Sequence, residues 1–482
     1  MTDRLIYIIF LLGFMAIMFT NGLILKKKVT SAKSFITGNQ NIGVLLGAGM
    51  FIATFLSSSS ITGQVGYVHG VGWAAYSSIL GTVISIFIVG YLMVDKLREQ
   101  ADYGCETIPD IFYARYGSNA LRGLMSISIV ILYTVFVAVE LMGLAKTIAY
   151  FLDISYTVAI IISMLFTLSY IYMGGLLAVA YNDSISAIIG VGGTIIVAFI
   201  ALAKVGGFTA MNIQLAEVKP DMIYTINSSG GIPLIISLAA VWGIGNSSHP
   251  AYLGQALGAK SRKSILRSLL ISAIFIAIFY FMTQILGIVS QVLNPNLVDV
   301  DASFPVLVKE LTNPVFAGVL VAAVLALVMS TTDTVLLTAG AALGSDFLSK
   351  TLGKNYSDEK RLALSRMSVI GIGIIGTIIA LLNPSQILIF QMLNYGAAGS
   401  VFFVPIIFGL YWKRANKEGA TSSMIGGFGA YILWILLKQP FGLHPILFGV
   451  AIAVVLMITV SLLTPQTSDE ILNHFFKRKQ KV

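Results

Sequence analysis

Apolar runs of about 20 residues recur from one end of this chain to the other, and nothing else in the sequence restricts the fold as strongly. Each run is long enough to cross a hydrocarbon core as a helix. In lipid, backbone polar groups must be satisfied internally, which leaves helices or a closed barrel. The runs do not alternate as barrel strands do, so the reading is an all-α polytopic membrane protein. Composition agrees: 57% of the 482 residues are hydrophobic, 11% are charged and the mean hydropathy is +0.89.

Thirteen spans are predicted, near 4–25, 42–68, 72–94, 121–151, 155–175, 183–204, 232–257, 264–292, 313–346, 362–382, 385–411, 419–437 and 441–464. With these boundaries, 24 of the 30 Lys and Arg fall on alternate connecting segments or on the span ends that border them. That bias puts the N-terminus outside and the C-terminus inside. It also accounts for the net charge of +9 without a nucleic-acid partner. Lys26, Lys27 and Lys28 follow the first run with no small-residue cleavage pattern, so that run reads as a retained helix. The loops near 95–120, 205–231 and 293–312 are too short for a separate domain, giving one transmembrane domain over 1–482. The single cysteine, Cys105, excludes a disulfide framework and reads as an ordinary thiol. His69, His444 and His474 sit at span ends or in the tail, and no metal-ligand spacing links any histidine.

Polar residues inside such spans are expensive and mark sites. The ninth span reads VAAVLALVMSTTDTVLLTAGAA over 321–342. Leu327 and Thr331 lie one turn apart on it, and Ser330, Asp333 and Thr334 share a neighbouring face. Two hydroxyls and a spare carbonyl lone pair there suit one small hard cation. The competing reading is that the hydroxyls bond back to carbonyls one turn earlier.

The second span carries four serines, a threonine and two glycines between Ser57 and Gly66, a good place for a helix to unwind. The seventh shows the same weakness over Trp242-Gly243-Ile244-Gly245-Asn246-Ser247-Ser248-His249-Pro250. Broken helices five spans apart run in opposite directions, the pattern of an inverted-repeat transporter with its site at the midplane. Spans 2–6 (from 42) and 7–11 (232–411) form the two repeats, so that 42–257 holds the first repeat and the start of the second. The helices at 4–25, 419–437 and 441–464 are peripheral. Small residues that merely permit close packing are the alternative.

At this point the chain resembles the sodium/solute symporter family, whose members carry pantothenate, proline, sialic acid, sugars and other solutes. The resemblance rests on ATFLSSSSITGQVGYVHGVGW, MGGLLAVAYNDSISAIIG, ALVMSTTDTVLL and FGLYWKRANKEGATSSMIGG, in the family's order and spacing. It implies a LeuT-type 5+5 inverted-repeat bundle with an extra N-terminal helix, in a cell membrane, with a monomer expected to suffice for transport. It implies a sodium site on the carbonyls of Ala53, Leu56 and Leu327 and the hydroxyls of Ser330 and Thr331. It also links Asp183 to a second sodium, with Ser330, Asp333 and Thr334 as companions; a helix-terminal acid facing the cytoplasm is the alternative. Substrate contacts are expected from Ser57, Ser60, Gln64, Trp242, Asn246, His249, Asn394 and Tyr395. Glu140, in mid-span, is left with three roles: pairing with a solute amine, pairing with Lys146, or carrying a proton.

The implied function is sodium-driven uptake of a small carboxylate or amino-acid type solute. Proton coupling on the same fold and a non-transporting sensor remain the rivals. An enzyme is not expected, because no nucleophile-base pair or metal-ligand cluster is visible in the spans.

Overall fold

A computed structural model describes residues 3–26, 31–353, 356–382 and 386–476, without the side chains of residues 26, 169, 170, 172–175 and 178. Lys27, Lys28 and the basic tail at 477–481 lie outside the described residues. The helices that position the site are α1 (Asp3–Lys26), α2 (Val44–Phe55), α3 (Gln64–Val71), α4 (Ser77–Ile88), α5 (Asn119–Leu152), α6 (Tyr156–Lys204) and α7 (Gly231–Ala240). They continue with α8 (Pro250–Gly258), α9 (Arg262–Leu293), α10 (Pro314–Ala341), α11 (Asp358–Leu381), α12 (Ile387–Ala398), α13 (Lys417–Leu436) and α14 (Pro445–Leu463). Among the described residues, eleven helices are long and apolar enough to cross a membrane, and Val44–Phe55 and Tyr156–Leu168 are shorter apolar helices. The chain is a multi-pass membrane protein.

Local chemistry sets the helix starts. The Ser118 side chain accepts from the Leu121 N–H, and the Asn313 side chain accepts from the Phe316 N–H with Pro314 following it. Each cap satisfies an orphan donor of the first turn. At Gly72 the backbone takes φ 63° and ψ −138°, which separates α3 from the run leading into α4. A side chain at that φ would be strained.

Two details depart from the sequence expectation. Backbone is helical throughout Tyr156–Lys204, with no non-helical connection between the runs 155–175 and 183–204. The packing nevertheless divides α6 into two arms. Tyr156 donates to the Ala380 carbonyl at 3.0 Å and Met164 lies against Gly373, while Gly190 meets Leu327 and Gly193 meets Leu320. The first arm thus runs antiparallel to α11 and the second antiparallel to α10. The expected loops are also partly helical, with helices at Phe208–Val218 and Ser303–Leu311.

Ion pairs close the two ends of the bundle differently. At one end Lys350 binds Asp110 at 2.6 Å and Asp346 at 3.3 Å, Arg361 binds Glu106 at 2.9 Å, and Arg122 approaches Asp110 at 3.7 Å. At the other end Lys146 binds Asp301 at 2.6 Å and Asp299 at 3.5 Å. Pairing of Lys146 with Glu140 is therefore overturned: six residues of helix is nearly two turns, and loop carboxylates reach the ammonium instead.

Cys105 lies beside the first network, in the loop before the Ile108–Tyr116 helix. Burial, with Asp110 adding to it, pushes its thiol up to about 12. Thiolate is the reactive form and its fraction rises with pH towards that value. Maleimide labelling of the folded protein at pH 7 to 8 should therefore be far slower than labelling after denaturation. Equal rates in the two states would contradict the burial.

Candidate functional site

The second span ends its first helix at Phe55. Leu56 has φ −98° and ψ 79°, outside helical values, and its N–H still reaches back to the Ile52 carbonyl. The chain then resumes through a π-helical turn, Ser59–Gly63, into α3. The seventh span breaks in the same manner. α7 continues through a π-helical turn at Val241–Gly245, and His249 (φ −73°, ψ 117°) interrupts it before Pro250 starts α8. Both interruptions fall inside the hydrophobic stretches, where loss of helical bonding leaves carbonyls without intrahelical partners.

The first break touches α10. Thr331 Oγ1 donates to the Ala53 carbonyl at 2.8 Å and lies 3.3 Å from the Leu327 carbonyl. Three oxygens from two helices 278 residues apart in sequence thus meet at one point. The neighbouring hydroxyl, Ser330 Oγ, is buried and has no hydrogen-bond partner. Asp183 of α6 lies beside it, and both of its carboxylate oxygens also lack partners in hydrogen-bonding geometry. Ser184, the next residue, packs on Gly49 of α2, so α2, α6 and α10 all meet here. An ionised carboxylate buried without a partner is costly, and a cation among these oxygens removes that cost.

The bond-back reading of the ninth-span hydroxyls holds for some of them and not for others. Thr332 and Thr334 bond back to the Val328 and Ser330 carbonyls at 2.9 and 3.3 Å, whereas Ser330 does not and Thr331 divides its proton between two helices. Asp333 is buried and engaged. Asp183 is 0% exposed, so a cytoplasm-facing acid is excluded.

The expected substrate residues are buried but serve different ends. Ser57 Oγ and Ser59 Oγ share a hydrogen bond of 2.7 Å. Ser60 donates to the Phe55 carbonyl at 2.9 Å and contacts Tyr280 Oη at 2.7 Å. Gln64 donates to Ser78, Asn246 to Ser85 and Asn394 to the Leu132 carbonyl, and each keeps an amide oxygen without a partner. Trp242 Nε1 and His249 Nε2 are likewise unpartnered. Tyr395 Oη is 2.7 Å from Tyr252 Oη, and its ring lies 5.1 Å from Trp242 and 5.5 Å from His249. Glu140 accepts from the Ser58 N–H at 2.9 Å, linking α5 to the first break.

Sequence reasoning missed the remaining aromatic wall. Tyr133 bonds His249 at 2.7 Å, Phe55 stacks on Tyr252 at 4.2 Å, and Tyr280 faces Ser60. Tyr252 stands one turn after His249 and Phe136 one turn before Glu140, a spacing that would have flagged both. Tyr280 carried no local signal. Among the described residues, no group of three or more His, Cys, Asp or Glu is placed to hold a metal ion.

Two helices broken at mid-membrane, one of them touching a hydroxyl-bearing partner beside an unpaired carboxylate, define an ion-coupled secondary carrier. A family model described as the sodium:solute symporter family matches residues 35–427. The sodium/pantothenate symporter of Haemophilus influenzae is 27% identical over 407 residues, covering 83% of each chain. The sodium/proline symporter of the same organism is 27% identical over 500 residues, covering 98% of this chain and 95% of the relative. In structure, a substrate-bound, outward-open sodium-coupled sialic acid symporter superposes with TM-score 0.81 at 20% identity, covering 96% of this chain and 99% of that one. At that identity the likeness speaks for the fold. The chain belongs to the sodium:solute symporter family, and it is a LeuT-fold transporter that couples solute uptake to sodium.

Tyr252 joins this wall to the first break, because its hydroxyl donates to the Thr54 carbonyl at 3.3 Å. Tyr252→Phe should lower thermal stability by about 1 kcal/mol, the usual net worth of such a bond. A melting temperature equal to wild type would show that this bond adds nothing.

Proposed function

We propose that the coupling sodium binds where broken α2 meets α10, on the carbonyls of Ala53, Leu56 and Leu327 and the hydroxyls of Ser330 and Thr331. The observation that carries this reading is the Thr331 contact with the Ala53 and Leu327 carbonyls, with the Ser330 hydroxyl unanswered beside it. Five neutral oxygens suffice for a monovalent ion and hold it weakly enough to leave. Asp183 with Ser330 forms a second sodium position in the same reading. Thr334, whose hydroxyl returns to the Ser330 carbonyl, is a weaker companion.

The solute sits above, between the two broken helices, against Trp242, Tyr395 and Glu140. Sodium draws α2 onto α10 and so completes the pocket. Each ligand then raises the other's affinity, typically by about 1 to 3 kcal/mol. The membrane potential adds roughly 2.3 kcal/mol per charge for every ~100 mV. The two broken helices support a 5+5 inverted repeat, with the peripheral helices outside it. The distribution of Lys and Arg supports thirteen spans with the N-terminus outside, in the inner membrane of a bacterium. Cation contacts and pocket both lie within one chain, which supports a monomer as the transport unit.

Sodium-induced thermal stabilisation of the purified protein, with potassium as the baseline, tests the site. Ser330→Ala and Thr331→Ala should each raise the sodium concentration for half-maximal stabilisation about tenfold, the loss of one oxygen ligand worth roughly 1 to 1.5 kcal/mol. Wild-type sodium response in both variants would overturn the assignment.

A further inference from the structure

Glu140 is a fully buried carboxylate that the proposed sodium contacts leave unexplained. It is wholly buried in the middle of α5. Oε2 accepts the Ser58 N–H, while Oε1 has no partner in hydrogen-bonding geometry, although the Ser57 and Ser58 hydroxyls lie close. Among the described residues no Lys or Arg pairs with it, and Lys146 on the same helix is held by Asp301 and Asp299. A carboxylate in that position calls for a positive partner supplied from elsewhere.

The surroundings specify that partner. The hydroxyls of Tyr252, Tyr280 and Tyr395 lie within electrostatic reach of Glu140. Their protons are already spoken for. Ser60 donates to the Phe55 carbonyl, so Tyr280 donates to Ser60; Tyr252 donates to the Thr54 carbonyl, so Tyr395 donates to Tyr252. What these hydroxyls have left is lone pairs. The ring faces add to this, since Trp242 lies 5.1 Å from Tyr395 and 6.5 Å from Tyr280 and aromatic faces attract cations. The unpartnered Trp242 Nε1–H calls for one acceptor on the solute as well.

The two broken helices repeat the bias. Gln64 Nε2 donates to Ser78 Oγ, whose proton goes to the Ala75 carbonyl, so the unanswered atom of Gln64 is its oxygen. Asn246 is oriented in the same way by Ser85, which donates to the Thr82 carbonyl, and again its oxygen is left over. Buried acceptors without partners are rare in proteins and mark what a ligand brings. Here they ask for several N–H donors on a positive centre.

Resting on the solute pocket assigned above, we infer that the transported solute bears a protonated primary or secondary amine. The amine binds at Glu140 Oε1 between Trp242, Tyr252, Tyr280 and Tyr395, and Glu140 selects for it. A carboxylate on the solute is not required by these contacts.

The test uses the full chain in nanodiscs and probe pairs that differ at the nitrogen: ethanolamine against ethylene glycol, and L-proline against tetrahydrofuran-2-carboxylate. Pantothenate serves as an anion without an amine. Thermal stabilisation at millimolar probe is read in sodium and in potassium. The ammonium member of at least one pair should bind in sodium roughly 10- to 100-fold better than its oxygen counterpart, the worth of a charge-assisted bond. Glu140→Gln, which keeps an acceptor for the Ser58 N–H, should erase that difference. The inference is overturned if the oxygen members or pantothenate bind as well as the amines, or if no ammonium probe stabilises the protein. It is equally overturned if Glu140→Gln keeps wild-type selectivity. Should that variant not fold, the selectivity of the wild type across the pairs decides. Failure of the sodium assignment is visible separately, as an unchanged sodium-only shift in Thr331→Ala.

Discussion

One hydrogen bond, from the Thr331 hydroxyl to the Ala53 carbonyl, holds the functional centre together. It joins the end of an interrupted helix to the middle of an intact one. A carbonyl at that point is available because the chain leaves helical geometry at Leu56, and a hydroxyl is available because α10 carries polar residues at mid-membrane. Everything else at the centre is arranged about this contact: Asp183 beside Ser330, Ser184 on Gly49, and Glu140 on the Ser58 N–H.

In the proposed reading, the same break serves both halves of the coupling. Its carbonyl side faces the Thr331 hydroxyl, and its amide side, at Ser58, is held by Glu140. A helix with an interruption is softer than a continuous one, because part of its i to i+4 bonding is missing there. A ligand on either side therefore orders the segment that the other must bind. That is a physical route to reciprocal affinity, with no longer path needed between the two sites.

The bundle's ends are built on another principle. Lys350, Asp110, Asp346, Arg361 and Glu106 form a network at one end, linking Glu106 and the Ile108–Tyr116 helix to the segment after α10 and to the start of α11. A single lysine on two aspartates, with Asp301 also accepting the Ile387 N–H, ties the other end. Charge pairs of this kind hold a closed arrangement by contacts that are lost together when the helices separate. Apolar packing alone would discriminate less sharply between open and closed forms.

How much of this was legible in the residues follows from range. The spans, the unwinding at the serine run and before Pro250, and the shared face of Ser330 and Thr331 are local, because hydropathy, breaker residues and helical spacing act over a few turns. The family resemblance supplied Ala53 and Leu56, which no local rule singles out, whereas helical spacing already set Leu327 one turn from Thr331. Tertiary structure alone decided that Asp183 is sealed beside Ser330 and not exposed, that Lys146 turns to Asp301 and leaves Glu140 unpaired, and that Tyr252 and Tyr280 complete an aromatic wall. The cost of burying a polar group is written in the sequence. The identity of the group that offsets it, often more than a hundred residues away, is set only when the helices pack.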